Sequence, residues 1–94
     1  MNPTFDLPEE FNVYHAQQTL ESLRLWLAEH QFPQAAVLDI SAARVTDMDG
    51  TGLQLLGALR NAGYRLRLLA PSQKFAHACM VTGNQAWLEA EAVV

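Results

Sequence analysis

This chain of 94 residues lacks several features that exported and membrane proteins use. It has one cysteine, Cys79, which cannot form an intramolecular disulfide, and residues 1–4 lack the basic and then apolar layout of a signal peptide. No apolar run approaches the roughly 20 residues that are needed to cross a bilayer. We therefore expect a cytoplasmic protein without direct membrane insertion.

Positive charge is also scarce. Six lysines and arginines stand against ten acidic residues, which gives a formal net charge of -4. Five of the six basic residues lie between Arg44 and Lys74, but no aromatic residues alternate with them in a stacking pattern. Because an acidic surface repels nucleic-acid phosphates, we predict that the chain has no nucleic-acid partner.

The histidines do not form a metal-binding pattern. His15, His30 and His77 share no ligand spacing with one another or with Cys79. His77 and Cys79 are two residues apart, which on a helix directs them to different sides. We expect no metal site and no cofactor.

Apolar periodicity predicts strands and a helix in the first half of the chain. Residues 5–7 and 11–13 alternate apolar and polar on either side of Pro8, which is typical of a short hairpin at a sheet edge. Apolar residues recur at helical spacing over 16–30. Residues 35–40 form a nearly unbroken apolar run, which is typical of a central strand covered on both faces.

The second half continues the alternation of helix and strand. We predict a helix from about 51 to 61, ended near Gly63, a strand over 64–69 and a helix from 72 to about 80. Residues 84–88 fit either a return strand or a last helical turn. The whole chain predicts a single small α/β domain, with helices packed on a mixed sheet of four to five strands.

The motif that begins at Asp47, Asp-Met-Asp-Gly-Thr-Gly, allows two interpretations. As D-x-D-G-T it resembles the signature of haloacid-dehalogenase-like phosphatases, which implies that Asp47 is a nucleophile, Asp49 a general acid/base, and that both help hold magnesium. That chemistry needs an apolar strand leading directly into Asp47, but the apolar run ends at Ile40. It also needs further charged groups, and the chain has a single lysine, Lys74. The context argues against a phosphatase and predicts that the chain is not an enzyme.

The same motif is similar to the switch loop of STAS domains, the anti-sigma-factor antagonist family. Residues 37–41 read Val-Leu-Asp-Ile-Ser, 49–53 read Asp-Gly-Thr-Gly-Leu, and 66–71 read Leu-Arg-Leu-Leu-Ala-Pro. Their order and spacing resemble the family over roughly residues 5–87. The resemblance implies a regulatory domain without catalytic activity that binds a protein, namely an anti-sigma kinase, another signalling protein, or the nucleotide-hydrolysing subunit of a lipid transporter.

The resemblance also implies a phosphorylation switch, which this chain alters. In the family a Ser or Thr directly after the Asp accepts the phosphate that releases the partner. Gly50 stands at that position and has no hydroxyl, so Thr51 is the neighbouring candidate. Thr51 either accepts a phosphate or only helps Asp49 to cap the second helix.

The second helix suggests a docking surface. Its predicted inward side contains Gly52, Leu55, Leu56, Leu59 and Ala62, whereas its other side is small and uncharged, so that either a partner or a neighbouring element of the domain covers it. Leu53, on the flank, is the expected anchor residue. The predicted partner-binding residues are Asp49, Gly50, Thr51, Leu53, Gln54, Gly57, Ala58 and Asn61.

Two further partners remain open. Some STAS domains are thought to bind nucleotides, which makes a nucleotide-binding sensory module an alternative, although the chain has no G-x-x-x-x-G-K-S/T phosphate loop. A homodimer is the other, because a chain this short has a modest stability margin.

Overall fold

The chain alternates short strands with three helices. The computed structural model describes residues 3–33 and 35–88. No helix within these residues combines the length and apolar character that crossing a membrane requires. The strands are β1 Thr4–Asp6, β2 Glu10–Phe11, β3 Val37–Ser41, β4 Asp47–Met48 and β5 Arg65–Leu69, and the helices are α1 Ala16–His30, α2 Gly50–Asn61 and α3 Gln73–Val81, with 3-10 turns at Val13–His15 and Gln85–Leu88.

The main sheet has three parallel strands in the order β1, β3, β5. The prediction that residues 37–40 form a central strand is therefore confirmed. Parallel neighbours need crossover connections, which α1 and α2 provide. Leu38 and Ile40 of β3 and Leu66 and Leu68 of β5 are buried and form the centre of the core.

The predicted single mixed sheet of four to five strands is not confirmed. Among the described residues, β2 and β4 form a separate two-stranded ladder, and every pairing is parallel. The predicted hairpin over 5–13 is wrong, because β1 pairs with β3 and β2 pairs with β4. Buried Leu7 donates its N–H to the backbone oxygen of Ser41 at 2.9 Å, so the chain follows β3 until Pro8, which has no N–H to continue the ladder.

Helix α1 has the predicted bounds. It ends at His30, and the next residue, Gln31, closes the helix with a left-handed conformation (φ 50°). Leu23 lies in the core, and Trp26 packs against Phe5 of β1 and Phe32, with ring centroids 5.5 and 4.8 Å apart. This aromatic cluster fixes the helix against the edge strand of the sheet.

Helix α3 also begins as predicted. The Ser72 hydroxyl accepts the N–H of Phe75 at 3.1 Å, and Phe75 and Cys79 are fully buried. The tail after α3 forms a last helical turn rather than a return strand over 84–88. Its Trp87 is buried, with the guanidinium of Arg60 5.9 Å from the ring centroid, so the turn closes the core beside α2.

One acidic side chain is buried within the sheet. Asp39, 7% exposed, lies opposite Arg67 in the β3–β5 register. Arg67 donates from Nε to Asp39 Oδ1 at 2.7 Å and from Nη2 to Oδ2 at 3.2 Å. A bidentate pair of this kind compensates the carboxylate for its lost hydration. Asp39 therefore has a structural role in the sheet.

Candidate functional site

Asp49 lies where the chain turns from β4 into α2. Its carboxylate Oδ1 accepts the N–H of Thr51 at 2.9 Å, which confirms the predicted helix cap. Oδ2 accepts the N–H of Val13 at 3.1 Å, from a segment 36 residues earlier in the chain. One side chain thus caps α2 and joins it to the start of α1.

These bonds favour the ionised form of Asp49. They hold the pKa of its carboxyl below the ordinary value of 3.8, and the bond from Val13 N–H has the largest effect. Desolvation opposes this shift in pKa, whereas bonds from Thr51 and Gly52 add to it. Asp49 therefore carries its negative charge at neutral pH beside the first turn of α2.

Asp47, the other acid of the motif, is bound to the same segment. Asn12 Nδ2 donates to Asp47 Oδ2 at 2.7 Å. The backbone N–H groups of Thr46 and Asp47 donate to the oxygen of Glu9 at 2.9 and 3.0 Å. Both acids of the D-x-D motif therefore accept hydrogen bonds that hold residues 9–13 against 46–51.

Asn12 is a site residue that the sequence reasoning missed. It is buried, and its Oδ1 accepts the N–H of Tyr14 at 3.1 Å and lies 3.1 Å from His15 Nδ1. His15 Nε2 lies 3.0 Å from Glu10 Oε2. An Asn shortly before a helix is a capping signal that could have indicated Asn12, but its bond to Asp47 joins residues 35 apart.

The glycines of this region have different surroundings. A Cβ at Gly52 would lie 2.8 Å from both Cδ2 and the backbone oxygen of Phe11, so the first turn of α2 packs directly on β2. A Cβ at Gly50 or at Gly57 would meet nothing within 4 Å. Only Gly52 is required by packing, and the space at Gly50 would admit the hydroxyl residue that the STAS family has there.

The outward side of α2 is open. Gln54, Ala58 and Asn61 are exposed, and Gly57 between them is half-buried with free space above it. No described element of the domain covers these residues. At the start of the helix Gly50 is exposed, whereas Asp49 and Thr51 are half-buried. These seven predicted residues form one continuous surface, which begins at the N-terminal end of α2 and runs along its outward side.

Leu53 does not lie on the flank of α2, where it was expected to serve as the anchor residue. It is 9% exposed and belongs to the core. The buried stripe of α2 contains Gly52, Leu53, Leu56 and Leu59, whereas Leu55 is half-buried and Ala62 is exposed. Because the first turn packs on Phe11, the helix presents Leu53 to the core, and periodicity alone does not reveal that rotation.

An apolar pair lies beside the start of α2. Tyr14 is 89% exposed and Val13 is 54% exposed, and the Val13 N–H is bound to Asp49. Large exposed apolar side chains beside an uncharged helix side are typical of binding surfaces. No sequence signal identified them, because Val13 was assigned to a hairpin strand.

Metal and thiol chemistry have little support in this region. Across residues 3–33 and 35–88, no group of three or more His, Cys, Asp or Glu side chains is placed to hold a metal ion. Cys79 is buried, and burial raises the pKa of its thiol to about 11, which leaves it protonated and unreactive at neutral pH.

Comparison with known proteins identifies no relative. No family model, no curated protein and no solved structure matches this chain. The resemblance to STAS domains therefore remains a prediction that rests on the residues quoted for it.

Proposed function

We propose that the protein is a regulatory interaction domain of the STAS kind, without catalytic activity. The observation that carries this proposal is the outward side of α2, which is open to solvent yet small and uncharged. A solvent-facing helix side normally carries charged residues. The docking surface, as we define it, contains Asp49, Gly50, Thr51, Gln54, Gly57, Ala58 and Asn61.

Gly57 would allow a partner to approach α2 closely. A glycine inside a helix costs about 1 kcal/mol relative to alanine, and no contact with residues 3–33 or 35–88 requires glycine at this position. Its missing side chain allows the backbone of another element to approach α2 closely. The stability lost at Gly57 is therefore compensated when a partner packs against the docking surface.

The start of the docking surface is held rigid. Asp49 binds the N–H groups of both Thr51 and Val13, so two chain segments meet the partner in a fixed arrangement. Prior order of this kind lowers the entropy cost of binding. Tyr14 and Val13, beside Asp49, replace Leu53 as the proposed anchors.

The phosphorylation switch is altered in this proposal. With Gly50 at the usual acceptor position, the domain is either always competent to bind, or its control lies at Thr51. A phosphate on Thr51 would add a charge of about -1.5 to -2 next to the Asp49 carboxylate, on an otherwise neutral surface. Repulsion and desolvation would then weaken the complex.

The partner class follows from the STAS resemblance. An anti-sigma kinase, another signalling protein and a transporter ATPase are the proposed partners. Each would present a protein surface that packs on the uncharged outward side of α2. A direct interaction with nucleic acid is not part of the proposal, since the net charge of the chain is -4.

The hydrogen bonds of Asp47 and Asp49 support a binding role for the loop. Asp47 Oδ2 accepts from Asn12, and Asp49 accepts from two backbone N–H groups, so both carboxylates have a structural role in the loop. Asp49→Asn should weaken partner binding, and a generic phosphate ester should show no turnover. Magnesium-dependent hydrolysis that disappears in Asp49→Asn would establish the phosphatase instead.

The experiment that tests the docking surface is site-specific photo-crosslinking in the native host. A photoreactive residue is placed at Ala58, and in a matched control at Ala28, an exposed alanine of α1. We expect one protein, identified by mass spectrometry, to be captured from position 58 and not from 28. The purified partner should then bind the wild type and lose affinity for Ala58→Arg. Equal capture from both positions, or unchanged affinity for Ala58→Arg, would contradict the proposal.

A further inference from the structure

A groove of about 520 Å³ lies between the β1–β2 connection, the first half of α1 and the loop after β3. Its volume is within the range of small-ligand sites, which is about 300–1,000 Å³. Helix α1 lines it with residues spaced one turn apart along a single side, so a polar stripe faces the groove. That stripe contains Gln18, Thr19 and Ser22 of α1, and it is continued by His15, the residue directly before the helix.

The groove carries an excess of negative charge. Asp6, Glu9 and Glu10 line it, against the single guanidinium of Arg44. Glu10 is paired with His15, whereas no ion pair within the described residues engages the carboxylates of Asp6 and Glu9. Exposed carboxylates alone are ordinary surface features.

Thr19 distinguishes this groove from an ordinary acidic surface. It is only 6% exposed, yet its hydroxyl forms no hydrogen bond within the described part of the chain. A helical threonine commonly donates to the carbonyl one turn earlier, as Thr82 does to Ala78 at 2.7 Å. Thr19 lines the groove. No side-chain polar atom of the described residues is both enclosed and without a partner, so the unbonded Thr19 hydroxyl reaches solvent, and we infer that it does so through the groove. A group bound in the groove would meet this hydroxyl.

We propose that the groove binds a cationic hydrogen-bond donor, an ammonium or guanidinium group, between the carboxylates of Asp6 and Glu9 and the hydroxyl of Thr19. The carboxylates supply the attraction and accept hydrogen bonds, and the hydroxyl accepts a further one from the same group. Such a group is carried by free polyamines and by the lysine and arginine side chains of proteins.

This proposal is independent of the docking surface. No residue of the groove belongs to that surface. Failure of partner binding at α2 would leave the groove unaffected, and an empty groove would leave the α2 proposal standing.

The test is titration of the isotope-labelled protein, followed by NMR, with two probes at fixed ionic strength. Spermidine represents a free polyamine, and a tetra-arginine peptide represents the basic segment of a protein. We expect saturable amide shifts centred on residues 6–10, 15–22 and 44–46 with at least one probe. The probe that binds identifies the source of the cation. An absence of saturable shifts with both probes would overturn the proposal.

Three variants determine whether the effect is specific. The double variant Asp6→Asn, Glu9→Gln should weaken binding at least tenfold, and Thr19→Val about three- to tenfold. The control Glu29→Gln removes one exposed carboxylate of α1 outside the groove and should change affinity less than twofold. Folding of each variant is checked by urea unfolding. Equal losses for Glu29→Gln and the double variant, or unchanged binding by a folded Thr19→Val, would overturn the site.

Discussion

Gly52 and Gly57 lie on the same helix and have opposite surroundings. A Cβ at Gly52 would meet the ring and the backbone oxygen of Phe11 at 2.8 Å, whereas a Cβ at Gly57 would meet nothing within 4 Å. Packing among the described residues therefore requires the first glycine and not the second. A residue that lowers helix stability and makes no packing contact indicates a role other than folding, such as binding a partner. This contrast is the basis for assigning the outward side of α2 to a partner.

The largest expected effect on stability is at Gly52. Gly52→Ala places a methyl group against the Phe11 carbonyl, which cannot move without disturbing the β2–β4 ladder. We expect a loss of about 1–3 kcal/mol in the free energy of unfolding, measured by urea denaturation. Reaction of buried Cys79 with a thiol reagent should become faster as well. A variant as stable as the wild type would remove the contrast between the two glycines.

A smaller effect is expected at Asp49. Asp49→Ala removes the cap of α2 and the bond to Val13, which should lower the urea midpoint at pH 7. The pKa of this carboxyl is lowered by folding, so its contribution is present above pH 3.8 and is lost as the pH falls through the lower folded-state value.

The pH dependence of Asp49→Ala provides the check on that mechanism. The difference in midpoint between wild type and variant should shrink below pH 3.8. Glu29→Ala, at an exposed position of α1, serves as the control and should show almost no difference at either pH. If the difference in urea midpoint between wild type and Asp49→Ala persists unchanged at pH 2, the loss of stability comes from packing and not from the charged cap.

Gly57→Ala should have the opposite sign to Gly52→Ala. With free space above the position, alanine should raise the free energy of unfolding by about 0.5–1 kcal/mol through helix propensity. Urea denaturation of both alanine variants under one condition compares the two glycines directly. A destabilised Gly57→Ala would mean that the fold itself needs this glycine.

The smallest effect on stability is expected at Thr51. Thr51→Ala keeps the backbone N–H that binds Asp49, so the free energy of unfolding should change little. Thr51→Glu should weaken the affinity of the partner through its charge, and intact mass analysis of protein from the native host should detect phosphate if Thr51 is the switch. If Thr51 is unmodified and both variants bind like the wild type, the relocated switch is excluded and the constitutive domain stands.

Sequence patterns predicted the elements that are signalled by residues close together in the chain. Helix α1, the central strand β3 and the Ser72 cap of α3 depend on periodicity and capping residues that lie close together in the chain. The Asp49 cap was predicted for the same reason.

Features that depend on distant pairing were missed. The β2–β4 ladder joins two-residue strands 37 positions apart (10 and 47), too short to show periodicity. The bond between Asn12 and Asp47 and the burial of Leu53 depend on that same packing of Phe11 against α2. The outward position of Gln54, Ala58 and Asn61 could be predicted because it follows from helical periodicity alone, and all three are exposed.

The most direct test of the central claim is the affinity of the crosslinked partner for Gly57→Arg. Ala28→Arg is the matched control, because it adds the same charge at an exposed position of another helix. We predict that Gly57→Arg remains folded in urea denaturation and binds the partner at least tenfold more weakly, about 1.4 kcal/mol, while Ala28→Arg binds within twofold of the wild type. A folded Gly57→Arg with wild-type affinity would contradict the assignment of this side of α2 to a partner.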